Sequence, residues 1–177
     1  MEKGRENKTI FIGCDDSGYE ANLILFPLLD RMGLRFVDCG SGPEPSRYPY
    51  YAAKVAAAVS DSRADFGILV CGTGIGMSIV ANKFPGVRAA VVTDPYSAKL
   101  TRRHNDSNVL CLGGQMLGSW QLTQITYAWL TTDYDGGHHE PSLALIRELE
   151  QDTMTGTLWT PDVLPYSPFS WNPEQGL

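Results

Sequence analysis

The chain has 177 residues, about the length of one domain, of which 43% are hydrophobic and 19% charged. That composition excludes a wholly disordered chain and suffices for a core without disulfides or metal. The net charge of −6 argues against a nucleic-acid or anionic-membrane binder, which needs a basic face. No apolar run nears the roughly 20 residues of a membrane span, and the charged opening MEKGRENKTI is unlike a signal peptide, so a cytoplasmic protein is expected.

In chain order, Thr9–Cys14, Arg35–Cys39, Phe66–Cys71, Arg88–Val92 and Val109–Leu112 are short apolar runs. Several are nearly continuous rather than alternating, as in strands buried on both faces. Helical patterns lie between and after them: Tyr19–Met32, Tyr51–Ser62, Ile75–Lys83, Pro95–His104, Ser119–Thr131 and Pro141–Asp152. In the first helix Leu25, Leu28, Leu29 and Met32 form one buried stripe, widened by Ile24. Pro27 within it lacks an amide donor and is expected to kink the helix or reset its start.

Strands alternating with helices over short loops predict an α/β fold. It is a three-layer α/β/α sandwich around a five-stranded parallel sheet, flavodoxin-like (Rossmann-like), in the order 2-1-3-4-5. Ligands in such sheets sit at the switch point beyond the first and third strands, here Cys14-Asp15-Asp16 and Cys71-Gly72-Thr73-Gly74. Residues 1–152 form the α/β domain. From Thr153 onward Pro161, Pro165, Pro168 and Pro173 break any periodicity, interleaved with Trp159, Tyr166, Phe169 and Trp171. Residues 153–177 therefore read as an extended arm, packed on its own domain or on a partner subunit.

Cys14, Cys39, Cys71 and Cys111 each lie in or end an apolar run, with no CxxC pair. Most read as small buried hydrophobes in a reducing compartment rather than zinc ligands. Cys71 differs, because Cys71-Gly72-Thr73-Gly74-Ile75-Gly76-Met77-Ser78 follows a strand and opens a helix. Its uncovered amides suit an anion or oxyanion. It lacks the spacing of a dinucleotide fingerprint and the Lys-Ser/Thr of a nucleotide P-loop. A thiol there can act as base or nucleophile, or be simply a buried strand-end cysteine. Asp15 and Asp16 can bind sugar hydroxyls, share a proton or hold a metal, or form a plain solvated turn. His104-Asn105-Asp106, beside Arg102 and Arg103, ends a helix, where a histidine also complements the dipole. His138-His139 lies in a Gly-rich loop, and two adjacent histidines do not make a helical metal face.

Taken together, these segments resemble the type B ribose-5-phosphate isomerase family, which includes galactose-6-phosphate isomerase subunits. The likeness rests on Gly13-Cys14-Asp15, Tyr48-Pro49, Cys71 to Ile79, Ala81-Asn82-Lys83, Pro85-Gly86-Val87-Arg88, Ser97-Ala98, His104-Asn105-Asp106-Ser107-Asn108-Val109-Leu110 and Gly113-Gly114. It covers residues 8–152. The resemblance implies an aldose–ketose isomerase working through an enediolate, with no metal and no cofactor. Cys71 would be the base. Thr73 and the loop amides of Gly72, Gly74, Ile75 and Gly76 would hold the enediolate oxygens. His104 would assist ring opening, and Asp15, with Asp16, Tyr48, Asn105, Gln115 and His138, would bind substrate. It also implies a homodimer or higher even oligomer, with the site completed across the interface.

Three departures bear on the substrate. Where the family usually has a histidine after the first aspartate stands Asp16. Gln115 replaces its phosphate-binding arginine after the last strand, and His138 and Ser142 replace two more. A phosphate dianion prefers fixed guanidinium donors, so a non-phosphorylated or otherwise atypical sugar is the first expectation. The alternatives are a ribose-5-phosphate or galactose-6-phosphate isomerase with a rebuilt phosphate site, using Arg102, Arg103 or the arm, and a non-catalytic sugar-binding partner subunit. The partners are then a small sugar or sugar phosphate and further copies of the chain, with no nucleic acid and no membrane.

Overall fold

A computed structural model describes residues 8–154. Its elements in order are β1 (Thr9–Cys14), α1 (Tyr19–Arg31), β2 (Arg35–Asp38), α2 (Tyr48–Ser60), β3 (Phe66–Cys71), α3 (Ile75–Ala81), β4 (Ala89–Val91), α4 (Pro95–Asn105), β5 (Val109–Gly113), α5 (Ser119–Leu130) and α6 (Glu140–Met154). All strand pairs are parallel. Successive side chains of a strand point to opposite faces, and the central strands feed two separate cores. Ile68 and Val70 of β3 join Leu110 and Leu112 of β5 and Ile125 and Trp129 of α5 on one face. Leu69 and Cys71 join Val109 and Cys111, Val55 and Ala56 of α2 and Met77 of α3 on the other. Two-sided burial is why these strands read as unbroken apolar runs.

The strand order is β2-β1-β3-β5-β4, so the last two strands exchange the places expected of them. The cause is burial. All five residues of β5 are buried, whereas each of the three in β4 is partly exposed. The more apolar strand takes the interior, and the short one takes the edge. That edge is blunted by Asn82, whose side-chain amide donates to the Ala89 carbonyl at 2.9 Å and accepts from its N–H at 2.8 Å. The other edge strand, β2, is mostly exposed.

Helix α1 runs from Tyr19 to Arg31 with Pro27 inside it, so the proline does not reset the start. Pro27 is exposed while Leu25, Leu28 and Leu29 are buried. Helix α2 starts three residues earlier than expected, at Tyr48 with Pro49 in its first turn, where a missing amide donor costs nothing. No helix among the described residues is long and apolar enough to cross a membrane. Helix α6 runs past the expected boundary at Asp152, to Met154; the arm beyond lies outside the described residues.

Candidate functional site

The expected switch point forms. Cys14 pairs with Val70 across β1 and β3, and Cys71 pairs with Gly113 across β3 and β5. Three loops therefore leave the same sheet end side by side. The Gly114 N–H donates to the Cys71 carbonyl at 2.7 Å, and the Gln115 N–H donates to the Gly72 carbonyl at 3.2 Å.

The Cys71 sulfur is the acceptor for the Gly74 N–H at 3.2 Å. Gly74 has φ of +78°, and a Cβ there would stand 3.0–3.1 Å from backbone atoms of Leu112. Only glycine fits both demands, so the turn that aims this amide at the sulfur is fixed by residue type. Thr73 is exposed, and its Oγ1 accepts from the Ile75 N–H at 3.3 Å. Its own hydroxyl proton remains available to an oxygen of a ligand.

Asp15 is buried, its Oδ1 accepting from Ser17 Oγ at 2.6 Å and from the Gly18 N–H at 3.1 Å. It is thus a turn-forming carboxylate at the lip of the loop. Asp16 is exposed. Its Oδ1 accepts from the Ser46 N–H at 3.0 Å and from Ser46 Oγ at 3.2 Å, while its N–H donates to Ser46 Oγ at 3.0 Å. The residue that departs from the family pattern therefore staples the loop ahead of α2 to the end of β1. Tyr48 is brought in by that loop, its ring 2.8–2.9 Å from the place of a Cβ on Gly76. Gln115 crosses from the end of β5, with Oε1 2.9 Å from the place of a Cβ on Gly72. Cys71, Thr73, the glycine loop, Asp15, Asp16, Tyr48 and Gln115 thus form one group.

His104, Asn105 and His138 belong to another. Helix α4 leads directly into β5, so its last turn lies at the start of that strand. Cys71 lies beside the strand's far end, at Gly113. Four residue steps of about 3.3 Å put roughly 13 Å between the two levels. Within one chain these residues do not join Cys71. There His104 stacks on His139, with ring centres 4.4 Å apart, and His138 lies 3.9 Å from His139. Arg103 pairs with Asp135 at 2.9 Å.

Cys71, Cys14 and Cys111 are buried, and Cys39 is half-buried. Burial pushes Cys14 up to about 11 and raises Cys39. Burial, with Cys71 nearby, raises Cys111 further. All four cysteines are free. Sequence reasoning missed Ser17, Ser46 and Asp135. The run Asp15-Asp16-Ser17-Gly18 carries a turn signature that points to Ser17. Ser46 and Asp135 meet their partners only through tertiary folding, and no local spacing announces them.

A family profile described as Ribose/Galactose Isomerase matches residues 10–146. Ribose-5-phosphate isomerase B of Escherichia coli is 43% identical over 145 residues, spanning 81% of this chain and 97% of the relative. D-erythrulose-4-phosphate isomerase of Pectobacterium atrosepticum is 38% identical over 140 residues, spanning 78% and 92%. The solved ribose-5-phosphate isomerase B of Clostridium thermocellum superposes with a TM-score of 0.80 at 40% identity, over 82% of this chain and 99% of that one.

Proposed function

The chain belongs to the ribose/galactose isomerase family and is an aldose–ketose isomerase, and from that premise we propose that Cys71 is its base and that its preferred substrate is an atypical, non-phosphorylated aldose or ketose. The observation that carries the chemistry is the Gly74 amide aimed at the Cys71 sulfur, at the switch point of the sheet. The thiolate takes the proton from the carbon beside the carbonyl. That C–H pair becomes the new C=C bond, and the carbonyl pair moves onto oxygen to give the enediolate. Return of the proton to the neighbouring carbon, with transfer of a proton between the two oxygens, completes the exchange. The Thr73 hydroxyl and the amides of the Gly72–Gly76 loop hold the developing charge, which needs oriented donors in a site screened from water. Asp15, Tyr48 and Gln115 bind hydroxyl groups.

His104 assists ring opening, and its level in the sheet, roughly 13 Å from that of Cys71, supports its supply by a second copy of the chain. The working unit is therefore an even oligomer, with Asn105 and His138 arriving on the same surface. Gln115 and Asp16 favour hydroxyls over a dianion, since a neutral amide and a carboxylate offer a phosphate no positive charge. One observation supports a second reading. Exposed Arg47 stands between Ser46, which is bonded to Asp16, and Tyr48, which covers Gly76. A guanidinium there would rebuild a phosphate anchor.

Side-by-side turnover of ribose and ribose 5-phosphate, with their higher homologues, separates the readings. The first predicts a larger kcat/KM for the free sugar. A kcat/KM of about 10⁴ M⁻¹s⁻¹ or more on the phosphate, within the ordinary enzyme range, would overturn it. If Arg47→Ala then abolishes that activity, the rebuilt anchor is established.

A further inference from the structure

His104, Asp135 and His139 each offer one ligand atom, and these atoms all lie within 4.8 Å of one another. His104 comes from the last turn of α4 and His139 from the short 3-10 turn Gly137–His139 ahead of α6. The loop between them is tied down twice. The Asp135 N–H donates to the Arg103 carbonyl at 3.0 Å, and Arg103 Nε reaches Asp135 Oδ2 at 2.9 Å and Oδ1 at 3.2 Å. The rings of His104 and His139 are stacked, 22° from parallel, so one ring turns about its side-chain bonds for both nitrogens to face one ion.

We propose that His104, Asp135 and His139 form a binding site for a divalent transition-metal cation, and that its occupation inhibits the isomerase by withdrawing His104 from ring opening. The inhibitory half rests on the functional reading above; the binding half does not.

Two imidazole nitrogens and one carboxylate oxygen suit zinc, cobalt, nickel or copper rather than magnesium or calcium, which prefer all-oxygen shells. Three protein ligands leave room for water on the metal. Imidazole binds metal only when neutral, so protons compete with the cation. Arg103 is no obstacle, because a ligating carboxylate commonly keeps an outer partner that fixes its orientation, and Oδ1 is the oxygen held more loosely. The other nearby guanidiniums are occupied as well: Arg88 and Arg102 both pair with Asp106, each at 2.8 Å. The negative end of the α4 dipole adds a favourable field at His104.

Titration of the metal-free full-length chain with Co²⁺, followed in the visible region, tests the site without reference to activity. The expected result is one Co²⁺ per chain with visible d–d bands and no thiolate charge-transfer band. Affinity should weaken at least about tenfold in His139→Ala and in Asp135→Asn. Absence of these bands, their survival in His139→Ala, or a dominant thiolate band would overturn the site. With a turned-over sugar, Zn²⁺ should inhibit the parent over the range in which it displaces Co²⁺, and should spare His139→Ala. Normal Co²⁺ binding with undiminished parent activity in Zn²⁺ would refute the inhibitory half. A chain that binds Co²⁺ as described but isomerises no sugar would instead count against the functional reading.

Discussion

Replacing Gly74 with alanine should damage both stability and catalysis, and Gly86→Ala serves as its control. Both glycines have positive φ, +78° and +71°, so both variants carry the left-handed penalty of about 1–2 kcal/mol. They differ in their surroundings. A Cβ on Gly86 meets nothing within 4 Å, whereas one on Gly74 meets the Leu112 backbone at 3.0–3.1 Å. Backbone of a central, fully buried strand cannot yield as a flexible side chain can. Overpacking of this kind adds about 1–3 kcal/mol, giving a total of about 2–5 kcal/mol for Gly74→Ala. Against a domain stability of roughly 5–15 kcal/mol, that is a large fraction. Urea unfolding of the two variants isolates the packing part as their difference. The same strain displaces the amide 3.2 Å from the Cys71 sulfur, so turnover should fall in Gly74→Ala and hold in Gly86→Ala. Equal stability and equal turnover in the two variants would refute the idea that Leu112 pins the Cys71–Gly76 loop.

Iodoacetamide near neutral pH should label Cys71 before Cys14 or Cys111, because the Gly74 N–H donates to the Cys71 sulfur at 3.2 Å whereas burial raises the other two thiols; peptide mapping reads the order, and substrate should protect Cys71 alone. Ser107→Ala should cost about 1–3 kcal/mol, measured by urea unfolding, because the buried Trp129 indole N–H donates to Ser107 Oγ at 2.8 Å and would lose its partner. Asp94 caps α4 by accepting from the N–H groups of Tyr96 and Ser97 and from Ser97 Oγ. These bonds, led by the Ser97 side chain, hold its carboxyl below the usual range. A depressed folded value stabilises the protein above the unfolded value, and that contribution disappears as pH falls through the folded one. Asp94→Asn keeps a capping side chain and should flatten the acid side of the melting-temperature profile below about pH 4; an unchanged profile would remove Asp94 from the account.

The parts of the fold that were legible are those written locally. Phe66–Cys71 and Val109–Gly113 are continuous apolar runs because both faces of the sheet are covered. The Cys71–Gly76 loop is readable because glycine is demanded at Gly74. What failed depended on comparing distant segments. The exchange of β4 and β5 follows from relative burial, which the run Arg88–Val92, longer than Val109–Leu112, does not announce. Tyr48 as the true start of α2 was obscured by Pro49, which punctuates a loop as readily as it opens a helix. The candidate site was legible as residue types but not as a gathering. Nothing in the local sequence ties Asp16 to Ser46 or sets His104 at the opposite level of the sheet from Cys71. Asp135 meeting His104 and His139 depends on the return of the loop after α5, which no spacing near His104 reveals.

The central claim is that Cys71 moves the carbon-bound proton, and its most direct test is turnover in D₂O by the parent and by Cys71→Ala, with deuterium followed at the carbon beside the carbonyl. Unfolding of both proteins is measured alongside, to establish that the variant is folded. The parent should isomerise its sugar with solvent deuterium entering at that carbon. The folded variant should lose at least about 10²-fold in both turnover and exchange, the lower end for removal of a general base. A folded Cys71→Ala that isomerises and exchanges within tenfold of the parent would contradict the assignment.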